Sequence, residues 1–155
     1  MITLITAVPG SGKSLTAIEM IVNSLSENPD RKIYTNLPLK WSEPNLDDLT
    51  EKPFLLIDPN GKNVFPIPDG DDWQLCEKGS LIIYDEVQKI FPATAKAGVV
   101  VDDRLTGLET HRHHGYDLVF ITQDATFVHH HIRKLVGRHI HLYRGHNATR
   151  VARYS

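Results

Sequence analysis

The chain has 155 residues, of which 41% are hydrophobic and 23% are charged, and its formal net charge is −2. These values are typical of one soluble globular domain with a sizeable core, and they exclude a strongly basic DNA-coating module. The single cysteine, Cys76, cannot form an internal disulfide, and no run of eighteen apolar residues could span a membrane. We therefore expect a cytoplasmic location.

The start of the chain is predicted to form a strand, a glycine-rich loop and a helix. A β-branched run at 2–8 has the length of a strand and is followed at once by Pro9 and two glycines. Apolar residues then recur at three- and four-residue spacing over 12–28, which predicts an amphipathic helix that ends before Pro29. A second strand is predicted at 31–38.

The next segment, 39–79, is less regular. It contains a short apolar run at 54–58, which is of strand type, and a short helix is predicted around 71–79. We interpret 39–79 as an irregular insertion that lies outside the core of a single domain spanning 1–155. It could bind a partner, hold the lid of a kinase, or be a solvated loop.

The second half of the chain alternates predicted strands and helices. Near-continuous apolar runs at 80–86 and 116–124 predict strands that are buried on both faces of a parallel sheet. A short helix is predicted near 125–136, followed by strands at 138–145 and 149–155 that are expected to pair with each other.

Between the two buried strands, 102–115 is predicted to be helical, with Asp102 or Asp103 as its N-cap and Gly115 as its end. Strands separated by helices predict an α/β fold with a mostly parallel sheet flanked by helices.

The loop after the first strand, AVPGSGKS at 7–14, resembles a phosphate-binding loop. It meets the pattern G-x-x-x-x-G-K-[ST] except at the first position, where Ala7 replaces glycine. Lys13 is predicted to reach the β- and γ-phosphates of ATP, and Ser14 to bind Mg²⁺. The alternative is a chance turn between a strand and a helix. The predicted nucleotide-binding residues are Pro9, Gly10, Ser11, Gly12, Lys13, Ser14 and Leu15.

Two acids, Asp85 and Glu86, end the buried strand at 80–86. In an open parallel sheet this edge carries the ligand site, so Asp85 is predicted to hold Mg²⁺ and Glu86 to polarise the attacking water. The alternative is a strand that ends in two solvated acids.

Thr122 and Gln123 end the strand at 116–124. One of them is expected to sense the γ-phosphate or to orient water, and we favour Gln123 for this role. The alternative is ordinary turn chemistry.

Three stretches together resemble a known family: ITAVPGSGKS at 5–14, LIIYDEVQKIFP at 81–92 and HRHHGYDLVFITQD at 111–124. In this order and spacing they are similar to the N-terminal domain of the Zot family, which comprises zonula occludens toxin and the gene I assembly proteins of filamentous phages. The resemblance spans nearly the whole chain. It implies a P-loop ATPase related to FtsK/HerA-type DNA pumps, with the strand at 118–123 between the phosphate-loop strand and the acid strand.

The same resemblance implies the cytoplasmic ATPase domain of an inner-membrane protein that drives phage assembly and extrusion. A membrane span would follow in a segment absent from this chain. The implied partners are phage assembly proteins and, as cargo, phage single-stranded DNA. The sequence adds only scattered basic residues near its end to support nucleic acid: Arg133, Lys134, Arg138, Arg144, Arg150 and Arg153.

Pumping ATPases of this kind form homo-oligomeric rings in which an arginine of one subunit reaches the γ-phosphate of its neighbour. Arg112 is our first candidate because it lies in HRHHG, and Arg104 and Arg133 are alternatives. Each could instead be a surface arginine in a local ion pair.

Eight of the nine histidines fall within 111–141. Imidazoles suit zinc, copper or nickel, but no cysteine or acid cluster completes a ligand set, so we favour a polar subunit interface over a metal site.

Two functions remain as alternatives to an ATPase motor: a nucleotide-binding interaction module with little hydrolysis, and a small-molecule kinase.

Overall fold

A computed structural model describes residues 1–37, 63–93 and 102–143 of the chain. In these ranges the strands are β1 (Ile2–Ala7), β2 (Ile33–Thr35), β3 (Val64–Pro66), β4 (Leu81–Tyr84), β5 (Asp117–Thr122) and β6 (Arg138–Leu142). The α-helices are α1 (Lys13–Glu27), α2 (Asp103–Thr106) and α3 (His130–Leu135). Strands β1, β2, β4, β5 and β6 are all shorter than the sequence pattern predicts, and the predicted residues outside them are mostly polar or charged, such as Arg31, Asp85 and Asp124.

The six strands form one sheet in the order β3-β2-β4-β5-β1-β6, and every neighbouring pair in it is parallel. β5 lies between β1, which leads into the glycine-rich loop, and β4, which leads into the two acids. The predicted α/β fold with an additional strand at this place is therefore confirmed. Because the carboxyl ends of parallel strands meet at one edge, the loops after β1, β4 and β5 lie side by side.

Apolar side chains cover both faces of the sheet. On one face, Ile5 and Ile121 pack against Ala17 and Ile21 of α1. On the other face, an aromatic cluster that includes Phe120 packs against the segments before and after β4. Burial on both faces explains why β1, β4 and β5 consist mainly of apolar residues.

The helix predicted at 12–28 is confirmed as α1, with 15 residues and an inward apolar face. In the part of the chain that the structure describes, no helix combines the length and the apolar character needed to cross a bilayer.

The segment predicted as one helix at 102–115 divides into a single α-helical turn, α2, and a 3₁₀ segment, Gly107–His114. Asp102 caps it by accepting a hydrogen bond from the Arg104 backbone N–H, and Gly115 ends it with a φ of 71°, as predicted. The buried side chains Leu105, Leu108 and His111 recur every three residues. A 3₁₀ helix has three residues per turn, so this spacing places them on one inward face.

The expected insertion at 39–79 is only partly described. Its apolar run at 54–58 lies outside the described residues. Residues 63–79, expected outside the core, instead contribute the edge strand β3, which pairs in parallel with β2, and the buried side chains of Trp73 and Cys76. The helix expected at 71–79 is one 3₁₀ turn, Trp73–Leu75. That 1–155 form a single domain stays a prediction.

The last described elements differ from the predicted pattern in two ways. The helix expected at 125–136 is a 3₁₀ turn, Ala125–Phe127, followed by α3. The strand expected at 138–145 is β6, which pairs in parallel with β1. The strand expected at 149–155, and its pairing with β6, lie outside the described residues.

Acid is expected to destabilise the fold through the buried His111 and the half-buried His129 and His139. Burial lowers the pKa of His111, assisted by the positive charge of Arg112 and opposed by its hydrogen bond to the Leu108 carbonyl. Burial also lowers the pKa of His129 and His139. Each group binds a proton more readily when unfolded, so its contribution is complete above about pH 6.5 and is lost as the pH falls toward the lowered folded pKa.

We therefore expect the free energy of unfolding, measured in urea, to fall between pH 7.5 and pH 5.5 by up to about 1.4 kcal/mol per pH unit for each such histidine. His111→Asn should reduce this slope, whereas His113→Asn, at an exposed position of the same segment, should not. An unchanged slope in His111→Asn would contradict the assignment.

Candidate active site

The glycine-rich loop connects the buried end of β1 to the first turn of α1. Gly10 and Gly12 have φ angles of 80° and 84°, and a β-carbon at either would meet no atom within 4 Å. The backbone angle, not a lack of space, is therefore what requires glycine at both positions. The Ser11 hydroxyl and the Ser11 N–H both donate to the Val8 carbonyl, at 2.6 and 3.2 Å, and close the loop on itself.

Ala7 stands where the phosphate-loop pattern has its first glycine. It is the last residue of β1, is fully buried, and belongs to the same core cluster as Ala17 and Ile21 of α1. A small side chain suffices at this position because β1 packs closely against the helix. The substitution therefore leaves the strand–loop–helix arrangement intact.

Lys13, which is predicted to bind phosphate, and Glu86, which is predicted to act as the base, face each other. Lys13 Nζ lies 3.8 Å from Glu86 Oε1, and both side chains are at most about a third exposed. Lys13 is the first residue of α1, and Glu86 follows β4, so the two groups meet across the end of β5. The predicted phosphate-binding lysine and the predicted base thus share one edge of the sheet.

Glu86 has an unusual backbone conformation. Its φ of 52° and ψ of 45° place it in the left-handed region, where a residue with a side chain is strained, and it begins the 3₁₀ turn Val87–Lys89. Strain of this kind is retained at functional sites more often than elsewhere. Oε2 of Glu86 accepts a hydrogen bond from Gln88 Nε2 at 2.8 Å and lies 3.7 Å from Lys89 Nζ.

Asp85 is held through its backbone by Asn36, which follows β2. The Asp85 N–H donates to Asn36 Oδ1 at 2.6 Å, and Asn36 Nδ2 donates to the Asp85 carbonyl at 2.9 Å. Burial raises the pKa of the Asp85 carboxyl, against the opposing effect of the Glu86 N–H. Among the described residues, no cation lies within ion-pair distance of this carboxylate.

The residues present fit a magnesium ion. Mg²⁺ prefers oxygen ligands and keeps several waters, and the predicted ligands are the Ser14 hydroxyl and the Asp85 carboxylate. A carboxyl that is partly desolvated and has no ion-pair partner in the described residues would be stabilised by a nearby divalent cation. Ser14 lies in the first turn of α1 with an exposed side chain.

Of the two polar residues that end β5, the structure connects Thr122 to the acids. Thr122 is buried, and its hydroxyl donates to Gln88 Oε1 at 2.9 Å, while Gln88 binds Glu86. Gln123 is exposed, and its side chain makes no hydrogen bond with the part of the chain that the structure describes. Its role as a sensor stays a prediction.

The three candidate arginines have different surroundings in the structure. Arg104 is held by three hydrogen bonds to the Asp102 carboxylate and one to the Gly70 carbonyl, and its guanidinium stacks over the Phe91 ring. It therefore has a structural role in this subunit and is a poor candidate for reaching a neighbour.

Arg112 is exposed at the opposite edge of the sheet. Its Nη2 lies 3.9 Å from where a β-carbon at Gly137 would stand, and Gly137 donates to the Ile2 carbonyl at the start of β1. The glycine-rich loop follows the other end of β1, so Arg112 could act only on a neighbouring subunit. Arg133 is exposed on α3.

The histidines are spread over several elements. His139 and His141 on β6 both hydrogen-bond with the Thr6 hydroxyl, at 2.7 and 2.9 Å, and His131 lies 3.6 Å from Glu109. No group of three or more metal-binding side chains is assembled in the ranges that the structure describes.

Two residues of the site were not identified from the sequence. Asn36 lies outside every motif, and Gln88 lies within LIIYDEVQKIFP but was given no role, because each acts through a partner that is distant in sequence or across a turn. Beside them lies an open cleft of about 350 Å³, whose lining consists of Asn36, Asp71, Asp85, Glu86, Lys89 and Ile90.

Comparison with known proteins identifies the family of the chain. Residues 1–151 match the family model described as zonular occludens toxin (Zot). ORF301 of Pseudomonas phage Pf3, which carries a provisional description as an assembly protein, is 50% identical over 156 residues. That alignment covers 99% of this chain but 46% of the length of ORF301.

Two solved structures share the fold. The N-terminal domain of zonular occludens toxin from Neisseria meningitidis is 29% identical with a TM-score of 0.65, over 92% of this chain and 76% of that one. The genome packaging NTPase B204 of Sulfolobus turreted icosahedral virus 2, solved with ATP-gammaS, is 18% identical with a TM-score of 0.63, over 95% and 76% of the two chains. The fold is that of a P-loop NTPase, and the chain belongs to the zonular occludens toxin (Zot) family.

Proposed function

We propose that this chain is a Mg²⁺-dependent ATPase motor domain that drives the assembly and extrusion of filamentous phage. The observation that carries the proposal is the approach of Glu86 to Lys13, at 3.8 Å, across the end of β5. In a simple strand-to-helix turn without a ligand site, nothing would require a lysine and a glutamate to approach each other in this way. Together they supply a cation for the transferred phosphate and a base for water.

Each residue of the site has a role in this proposal. The N–H groups of the loop and of the start of α1 would bind the phosphates, and Lys13 would neutralise the β- and γ-oxygens. Ser14 and Asp85 would hold Mg²⁺, which supplies charge neutralisation at the phosphates when it is bound. Glu86 would accept a proton from the attacking water as ATP is converted into ADP and phosphate.

The family and the relatives support the biological setting. ORF301 is provisionally described as an assembly protein of a phage, and B204 is described as a genome packaging NTPase that was solved with an ATP analogue. For this chain we infer a cytoplasmic domain at the inner membrane, joined to the membrane through a segment outside these 155 residues. Phage assembly proteins and phage single-stranded DNA are the proposed partners.

We further infer a homo-oligomeric ring in which an arginine of one subunit completes the site of the next. Arg112 remains the first candidate, on the condition that the amino edge of one sheet faces the carboxyl edge of its neighbour. Arg133, which is exposed on α3, is the second candidate.

Specific ATPase activity is expected to rise with protein concentration and to require Mg²⁺, because a site that is shared between subunits is complete only in the oligomer. Phosphate release should be measured over a wide concentration range, with EDTA and with Arg112→Ala and Arg133→Ala. One of the two variants should lose the activity while still binding ATP.

Activity that is independent of concentration would contradict the ring. ATP binding without turnover under all conditions would favour the nucleotide-binding interaction module. Transfer of phosphate to an added metabolite, in preference to water, would favour a small-molecule kinase, for which the cleft beside Asp85 would be the acceptor pocket.

A further inference from the structure

The carboxylate of Glu86 is the end of a hydrogen-bond chain that starts on β5. The Thr122 hydroxyl donates to Gln88 Oε1 at 2.9 Å, and Gln88 Nε2 donates to Glu86 Oε2 at 2.8 Å. Thr122 is 1% exposed, and Gln88 is half-buried in the turn that follows Glu86. The chain therefore runs from the interior of the sheet to the side chain that is proposed to activate water.

The donors and acceptors give this chain one direction. A carboxylate can only accept hydrogen bonds, so the amide of Gln88 must present its NH₂ group to Glu86 and its oxygen to Thr122. The threonine hydroxyl has one proton, and its contact with Gln88 is shorter than its 3.4 Å contact with the Asp124 carbonyl. Thr122 thereby holds the amide in the orientation that Glu86 needs.

The two oxygens of the Glu86 carboxylate also have different contacts as a result of these hydrogen bonds. Oε2 is occupied by Gln88 and lies near Lys89, whereas Oε1 faces Lys13 of the phosphate loop. The side chain of Glu86 is thus held at one oxygen, while the other oxygen faces Lys13, the residue proposed to bind the γ-phosphate. The left-handed backbone of Glu86 contributes to the same orientation.

The position of β5 makes this arrangement possible. β5 lies between the loop strand and the acid strand, and Thr122 is the cross-strand partner of Thr6, next to the buried Ala7. Its side chain is therefore anchored in the sheet at the level of both loops. A residue on a solvent-exposed turn would lack this support.

We propose that Gln88 is a positioning residue for Glu86 in ATP hydrolysis and that Thr122 acts through Gln88. The inference rests on the proposed ATPase function. In this proposal, Gln88 orients the carboxylate of Glu86 without contacting the nucleotide. Loss of the hydrogen bonds from Thr122 through Gln88 to Glu86 should therefore reduce kcat and leave nucleotide affinity unchanged.

The test measures kcat, KM and the Kd for ATP in Gln88→Leu, Thr122→Val and the double variant, with Glu86→Gln as reference. We expect Gln88→Leu to reduce kcat by about tenfold or more, since small misplacements of a catalytic group cost up to about a hundredfold. Thr122→Val should have a smaller effect, Thr122→Ser should retain more kcat than Thr122→Val, and Kd should stay within about twofold. Because Thr122 acts through Gln88, the double variant should be no slower than Gln88→Leu alone.

Thr3→Val is the matched control, because Thr3 is a buried threonine of the same sheet that takes no part in the chain. It should have wild-type kcat. Multiplicative effects of the two substitutions, or a loss of ATP affinity with an unchanged kcat, would overturn the inference.

The outcome also separates this inference from the proposed function. If Glu86→Gln abolishes turnover but Gln88→Leu has wild-type kcat, only the positioning role is overturned. If the wild-type protein and Glu86→Gln are equally inactive at every protein concentration, the proposed function is overturned and the inference falls with it.

Discussion

Replacing Glu86 with glutamine is expected to reduce ATP turnover by at least about a hundredfold while ATP binding is retained. A positioned base contributes about 10²- to 10⁴-fold to catalysis, and the amide of glutamine cannot accept the proton of water. Nucleotide affinity should be equal to that of the wild type or higher, because the substitution removes the carboxylate that lies 3.8 Å from Lys13 and leaves this cation available to phosphate. Phosphate release and equilibrium binding of a fluorescent ATP analogue measure the two effects separately.

Glu109→Gln is the matched control for this experiment. Glu109 is exposed and lies 3.6 Å from His131, away from the loop, so the same change of charge there should leave turnover unaffected. Wild-type turnover in Glu86→Gln would show that the base is elsewhere. Loss of ATP binding in the same variant would show that Glu86 acts on the structure of the loop.

Trp73→Ala is expected to have the largest effect on stability, about 3–5 kcal/mol from a total that is typically about 5–15 kcal/mol. Trp73 is 2% exposed, its indole ring packs edge-on against Tyr116, and its Nε1 donates to the Arg104 carbonyl at 2.8 Å. Truncation would leave a cavity under the sheet and an unpaired carbonyl. Urea unfolding at neutral pH, monitored by circular dichroism, measures the change.

Leu75→Ala provides the control within the same 3₁₀ turn. Leu75 is 65% exposed, so its truncation should change the free energy of unfolding by no more than about 0.5 kcal/mol. Equal effects of the two substitutions would mean that the segment containing Trp73 does not belong to the cooperative core.

The local elements of the site were predictable from sequence because each is encoded by neighbouring residues. The β-branched run before the loop, the glycines at positive φ and the periodic apolar face of α1 are properties of consecutive residues, and the structure reproduces them. Asp85 and Glu86 were identifiable for the same reason, since they end a strand whose apolar run is unbroken.

The fold class also followed from local pattern, because alternating buried strands and helices leave few arrangements other than a parallel sheet. The place of β5 between β1 and β4 came from the family resemblance. No property of the 117–122 segment itself specifies which strands it pairs with.

Several features depend on contacts between residues that are distant in sequence, and only the tertiary structure decided them. Residues 63–79 have no regular pattern, yet they supply an edge strand and the buried Trp73, because β2 and the 3₁₀ segment after α2 provide their partners. Arg104 was a candidate for catalysis, but its contacts with Asp102 and Phe91 give it a structural role in its own subunit.

The same distinction applies at the centre of the site. From sequence, Gln123 was favoured over Thr122 among the two polar residues at this strand end, and Gln88 was given no role. Side chains alternate between the two faces of a strand, and the order of the strands decides which of them meets the acid turn. The sequence by itself thus determined the loop, the lysine and the two acids, whereas the tertiary structure selected Thr122 and Gln88, because a hydrogen-bond network exists only once its strands are adjacent.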